Sequence, residues 1–125
     1  MNIINIEKLD VNKTIVLTGR PNNVRKIAKH LKAKLYILPS EEDYFEDYPN
    51  IINKFQEHLT NETGIIIVTT QSEEFLDCLL QSNLDFVQVT VRKYDNDDDD
   101  TYRIRVLTKE DAWADRCAFK MELRR

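Results

Sequence analysis

Three short stretches carry the residue types that phosphate chemistry uses. Gly19-Arg20-Pro21-Asn22-Asn23-Val24-Arg25-Lys26 is a glycine-led, cationic octapeptide between an apolar run and an amphipathic one. Backbone amides at a helix start can face an anion in such a place. A loop that wraps phosphates reads G-x-x-x-x-G-K-[ST], with its lysine on the outer phosphates and its hydroxyl on magnesium. Gly19 fits the first position. Val24 stands at the second glycine, and a β-branched residue resists the positive φ that glycine supplies there. Arg25 replaces the lysine. Lys26 replaces the hydroxyl residue and cannot ligate magnesium. A plain strand–turn–helix connection has the same composition.

The second stretch, Leu35-Tyr-Ile-Leu38-Pro39-Ser40-Glu41-Glu42-Asp43, ends an apolar run among acids. Magnesium-dependent phosphoryl transfer calls for an aspartate at such a strand end, with a glutamate beside it to polarise water. Pro39 and Ser40 occupy those places, and the acids follow two or more residues later, where a solvated acidic loop is the plainer reading. The third stretch is Gly64-Ile-Ile-Ile-Val-Thr-Thr-Gln71-Ser72-Glu73-Glu74-Phe-Leu-Asp77. Gln71 can donate and accept a hydrogen bond to phosphate or water, but it cannot shuttle a proton as imidazole does. A polar residue closing a strand is the alternative.

The remaining candidates are weaker. His30 and His58 fall in separate predicted helices, without a second ligand four residues on. Asp95-Asn96-Asp97-Asp98-Asp99-Asp100 could hold calcium loosely, but it lacks the interior glycine and terminal glutamate of an ordered loop. It reads as a solvated hairpin tip. No Ser–His–Asp or Cys–His arrangement emerges from spacing. The expectation is no catalytic residue, no metal ligand and no cofactor, with Gly19, Arg25, Lys26 and Gln71 as the positions at which phosphate could still be held.

These residues need a frame. Asn2 to Leu9 alternates in part and predicts a strand. Thr14–Thr18, Lys34–Leu38 and Ile65–Thr69 predict three more. Apolar residues at 24, 27, 28 and 31 predict a helix over Val24–Leu31. Pro49 suits the first turn of a helix with Ile51, Ile52, Phe55 and Leu59 as its stripe. Ser72 caps a further helix with Glu73 and Glu74 in its positive first turn and Phe75, Leu76, Leu79 and Leu80 buried. Phe86–Tyr94 and Thr101–Leu107 alternate cleanly and predict a β-hairpin with one wet face. A helix from Thr108 or Lys109 to about Arg116 closes the pattern, anchored by Trp113. Strand–helix repeats followed by a hairpin predict a three-layer α/β domain with a largely parallel sheet.

Composition narrows the function classes. The 125 residues are 42% hydrophobic and 32% charged, ordinary values for one soluble domain spanning 1–125. The apolar runs are too short to span a bilayer and no charged-then-apolar leader opens the chain, so a cytoplasmic location without a membrane partner is expected. Cys78 and Cys117 lack metal-type spacing and are expected to be reduced packing residues. A net charge of −4 speaks against a broad phosphate-binding surface and a nucleic-acid partner.

In their order along the chain, Thr14–Leu17 leading into Gly19, Leu35 to Asp43, and Thr69-Thr70-Gln71-Ser72-Glu73-Glu74-Phe75-Leu76-Asp77 resemble the ABC-type AAA ATPases. The chain is most similar to the SMC, Rad50 and overcoming-lysogenization-defect group. There a Walker A loop precedes a Walker B strand, and a later strand ends T-T-H-S before an EFLD-like helix. The resemblance implies a degenerate, shortened P-loop-NTPase-like fold. It sets Gly19, Arg25 and Lys26 on Walker A, Pro39 and Ser40 on the Walker B acids, and Gln71 on the switch histidine. In an alternative register, Leu17-Thr18-Gly19 falls on the signature motif instead. No complete L-S-G-G signature is present, and the insertion that separates Walker A from Walker B is missing.

Loss of one preorganised group at a reaction centre costs roughly 3–4 kcal/mol, and several positions are altered together. The expectation is a catalytically inactive pseudo-ATPase acting as a protein-interaction or regulatory module. It would self-associate or pair with a full-length ATPase. The alternative is a small nucleotide- or phosphate-binding enzyme using the altered loop. A third reading, an acidic decoy for nucleic-acid-binding proteins, rests on the aspartate run alone.

Overall fold

The computed structural model describes residues 1–10, 12–37, 52–53, 66–70 and 73–123, with the backbone alone at 34–37 and 119–123. Six strands form one sheet: β1 (Asn2–Ile4), β2 (Thr14–Thr18), β3 (Lys34–Ile37), β4 (Ile66–Thr69), β5 (Phe86–Arg92) and β6 (Thr101–Thr108). Their order is β1-β6-β5-β2-β4-β3. β2, β3, β4 and β5 run parallel, β6 is antiparallel to β5, and β1 is parallel to β6. The helices are α1 (Pro21–His30), α2 (Glu73–Gln81) and α3 (Lys109–Leu123).

Strand alternation divides the core in two. Ile15, Leu17, Ile67, Val89 and Val91 project to one face, where Val24, Ile27 and Ala28 of α1 cover them. Val16, Val68 and Phe86 project to the other, under Phe75, Leu76, Leu79 and Leu80 of α2 and Ala112 of α3. Ile52 joins this second cluster. The result is a three-layer α/β arrangement with a mostly parallel sheet, closed by an antiparallel hairpin and a helix.

Several boundaries move from their predicted places, each for a local reason. The first strand stops at Ile4, because Asn5 turns left-handed (φ 74°) and a 3-10 turn follows at Ile6–Lys8. Asparagine tolerates that conformation better than most residues. α1 starts at Pro21 rather than Val24, with proline at the first helical position, where its missing N–H costs nothing. α3 runs on to Leu123 rather than ending near Arg116, since no glycine or proline interrupts 117–123. The hairpin also lacks the expected wet face along β5. That strand lies between β2 and β6 and is covered on both sides, so that even Gln88 is buried. The Oε1 atom of Gln88 has no hydrogen-bond partner among the described residues. The predicted helix residues Pro49, Phe55, Leu59 and His58, together with Pro39, Ser40 and Gln71, lie outside the described residues.

Candidate functional site

The parallel strands deliver their C-terminal ends to one edge. Leu17 pairs with Thr69, and Thr69 with Ile37, so these three residues form a row across β2, β4 and β3. Gly19, Gln71 and Pro39 each stand two residues further along the chain than a member of that row. The connection leaving β2 heads toward β3, whereas the one leaving β5 heads the other way, into β6. In open α/β sheets, ligand crevices form outside the strand ends where connections diverge like this.

A crevice of about 840 Å³ opens there. One wall is Arg20, Pro21, Asn22 and Asn23, the start of α1; the other is formed by Val91 to Asp95, Asp97 and Asp99. Gly19 brings the two walls together. Its φ is 145°, and a Cβ built on it would lie 3.0 Å from the Val91 carbonyl oxygen and 3.3 Å from Val91 Cβ. Only glycine fits both the conformation and the approach. One residue earlier, Thr18 Oγ1 and Thr90 Oγ1 are 3.1 Å apart, joining the last paired row of β2 and β5.

The far wall is held by its own charges. Arg103 donates to both Asp97 carboxylate oxygens, from Nε (3.3 and 3.1 Å) and Nη2 (3.0 Å), and the Tyr94 amide donates to Asp97 Oδ2 (3.1 Å). The Asp97 side chain is only 5% exposed. The Arg103 hydrogen bonds, supported by the Tyr94 amide, hold its carboxyl below the usual range. Lys93 Nζ donates to the Asp98, Asp99 and Thr101 carbonyl oxygens and sits 4.3 Å from the centre of the Tyr102 ring. Asp100 pairs with the Met1 amino group at 2.9 Å. The aspartate run is therefore a braced turn, with Asp95, Asp98 and Asp99 left facing solvent.

The predicted phosphate contacts do not converge on this crevice. Gly19 adjoins it, against Val91 of the far wall, whereas Arg25 and Lys26 are exposed on the second turn of α1 and do not line it. Gln71 falls outside the described residues. Sequence reasoning passed over Arg92, Lys93 and Tyr94, whose position opposite Arg20 depends on the β2–β5 pairing; Tyr94, 48% exposed, is an unusual aromatic to leave in water. Among the described residues no group of three His, Cys, Asp or Glu is placed to hold a metal ion. Cys78 packs against the α2–α3 core cluster; burial, then Asp77 and Glu74, raise its thiol pKa, so it is poorly suited to nucleophilic chemistry. No helix among the described residues is long and apolar enough to cross a membrane.

Comparison with protein-family models, curated proteins and solved structures finds no match.

Proposed function

We propose that this chain is a shortened ATPase-like head without nucleotide chemistry, which acts by binding protein, either a second copy of itself or a complete ATPase. The short connection between β2 and α1 carries the reading. Only Gly19 and Arg20 separate Thr18 from Pro21, the first residue of the helix. A phosphate loop needs an extended run of backbone amides that curls around the anion. Here positions 22–26, which would supply that curl and its lysine, are already helical, and Arg25 and Lys26 point to solvent away from the crevice. The likeness to an ATPase head draws its support from the row Leu17–Thr69–Ile37, after which the three altered motif positions follow at equal steps. Turnover assays and calorimetry with magnesium-ATP test the proposal. Hydrolysis above the uncatalysed background, or a saturable heat of binding, would overturn it.

The phosphate-binding alternative keeps one observation in its favour. Arg20 and Arg92 line the crevice and make no ion pair among the described residues. Arginine grips phosphate with two parallel hydrogen bonds. The carboxylates of Asp95 and Asp99 on the same wall repel such a ligand. Calorimetry with inorganic phosphate and nucleoside diphosphates separates the two readings: heat that disappears in Arg20→Ala would favour the alternative.

A further inference from the structure

The net charge of −4 averages over surfaces of opposite sign. Between Val11 and Ser40 the chain has seven Lys or Arg and no Asp or Glu. α1 carries three of them, and two more flank it. Val24, Ile27 and Ala28 face the sheet, while Arg25, Lys26, Lys29 and His30 are exposed, with Arg20 before the helix and Lys32 after it. The lysines and arginines of this surface make no ion pair among the described residues.

Stability does not account for the arrangement. The first turn of α1 holds no acid, although its positive end favours one; of the cations only Lys29 and His30, in the last turn, suit the helix dipole, and Arg25 and Lys26 lie mid-helix where it gives them nothing. Arg25 and Lys29 are like charges four residues apart, a spacing at which such pairs destabilise a helix. Lys32 also takes φ 54° at the residue after the C-cap. Its amide donates to Lys29 O and that of Ala33 to Ala28 O, a pattern in which glycine is the usual occupant. A cation stands where a stable helix end would prefer glycine.

The chain also carries the complement of this surface. Across the crevice from the α1 start, the braced turn presents Asp95, Asp98 and Asp99 without ion pairs among the described residues, beside the exposed Tyr94 ring. Two cations beside it are already engaged, Lys93 on backbone carbonyls and Arg103 on Asp97, while Arg92 at the end of β5 stays exposed. Because one molecule carries both the basic face of α1 and the acidic turn, a two-fold axis can match each with its complement on a second copy. Such self-complementary contacts close a dimer without leaving a free surface to propagate. Tyrosine is a frequent anchor at the centre of such interfaces.

We propose that two copies dock reciprocally, the acidic β5–β6 turn of each seated against the α1 basic face of the other. The inference rests on the protein-binding reading above, in its self-association form. Exposed charge pairs are screened strongly as the Debye length falls from about 10 Å at ~0.1 M salt to about 3 Å at ~1 M. Sedimentation equilibrium of the full chain should show a dimer at the lower salt that dissociates at the higher. Arg25→Glu with Lys29→Glu, and separately Asp95→Lys with Asp99→Lys, should each weaken self-association by about tenfold or more. Circular dichroism checks that both variants remain folded. Mixing them should restore the dimer, because the two reversed surfaces then meet each other and the two unaltered surfaces do the same. A monomer at low salt that still lacks ATP binding would overturn the dimer and leave the protein-binding reading intact. A dimer indifferent to salt and to both variants, or a mixture that fails to reassociate, would overturn the docking surface. Retention of a monomeric wild type by duplex DNA, lost in the Arg25→Glu, Lys29→Glu variant, would assign the basic face to nucleic acid instead.

Discussion

Beneath α2 and α3 the cations are engaged with the fold, whereas along α1 they are left in water. Arg116 of α3 donates from Nε to Asp77 of α2 at 3.0 Å and reaches Glu73 at 3.8 Å, and its side chain is 16% exposed. The Asp77 hydrogen bond raises its pKa further, so the charge persists at any working pH. Lys109 Nζ donates to Ser82 and Leu84 carbonyl oxygens just past the end of α2, where burial lowers its pKa. Arg105 lies 3.8 Å from Asp115. On the opposite face, Arg25, Lys26, Lys29 and Lys32 have no such partners among the described residues. A charge that fixes one element against another is part of the fold. A row of unpaired like charges contributes little to folding, so its placement points outward.

The largest way to break the comparison is to break the frame that both layers share. Gly19→Ala adds a Cβ at φ 145°, 3.0 Å from the Val91 carbonyl. It should cost about 3 kcal/mol, read as a lower urea midpoint with an unchanged slope. A cost near zero would mean that β2 and β5 separate easily, and the two crevice walls would not be held in place.

Next in size is the contrast between the layers themselves. Arg116→Ala removes a charge-assisted hydrogen bond from a largely covered site and should cost about 2 kcal/mol. Arg25→Ala, at an exposed and unpaired position, should stay within about 0.5 kcal/mol of wild type. Equal losses in the two variants, measured by chemical denaturation, would remove the distinction on which the basic-face argument stands.

Much of this frame was legible in the sequence, and the exceptions have physical causes. Bare apolar runs identified β2, β3 and β4; β2 and β4 are buried on both faces, where a strand needs no alternation. Helical spacing found Val24, Ile27 and Ala28, but the start of α1 at Pro21 has no apolar residue to mark it; proline itself was the usable signal. The hairpin was visible from its alternation, yet its polar positions misled: Gln88 reads as a wet residue and is buried. Of the candidate site, Gly19 was found for its loop position, while the reason for glycine there, the approach of Val91 from 72 residues away, is tertiary. The acid-free stretch around α1 was present in the sequence but hidden by the net charge, which sums two surfaces into one small number.

A smaller effect sharpens the contrast from the α1 side. Lys32→Gly relieves a left-handed lysine and should raise stability by about 1 kcal/mol. The same change removes one cation from the basic face, so a gain in thermal midpoint should accompany weaker self-association at low salt. If stability falls instead, the lysine side chain serves the helix end, and the argument that its charge is retained against stability fails.

The smallest effect concerns the braced turn, where one charge is engaged so that its neighbours can remain free. The folded-state pKa of Asp97 is depressed, chiefly by the Arg103 hydrogen bonds, from an ordinary value of 3.8. In the unfolded chain the carboxyl takes up its proton near that ordinary value; in the fold it does so only at lower pH. The unfolded state therefore binds more protons between the two values, and stability falls as pH drops through that window. Above pH 3.8 the contribution is fully present. The Arg103 side chain is 41% exposed, so solvent screens the pair from that side and keeps the effect small. Asp97→Asn should reduce the acid sensitivity of the thermal midpoint below pH 3.8 relative to wild type, while at neutral pH it loosens the turn and weakens the charge-dependent dimer. Identical acid profiles for the two proteins would mean that the Arg103 bridge does not brace the turn in solution, leaving Asp95, Asp98 and Asp99 without a fixed geometry to present.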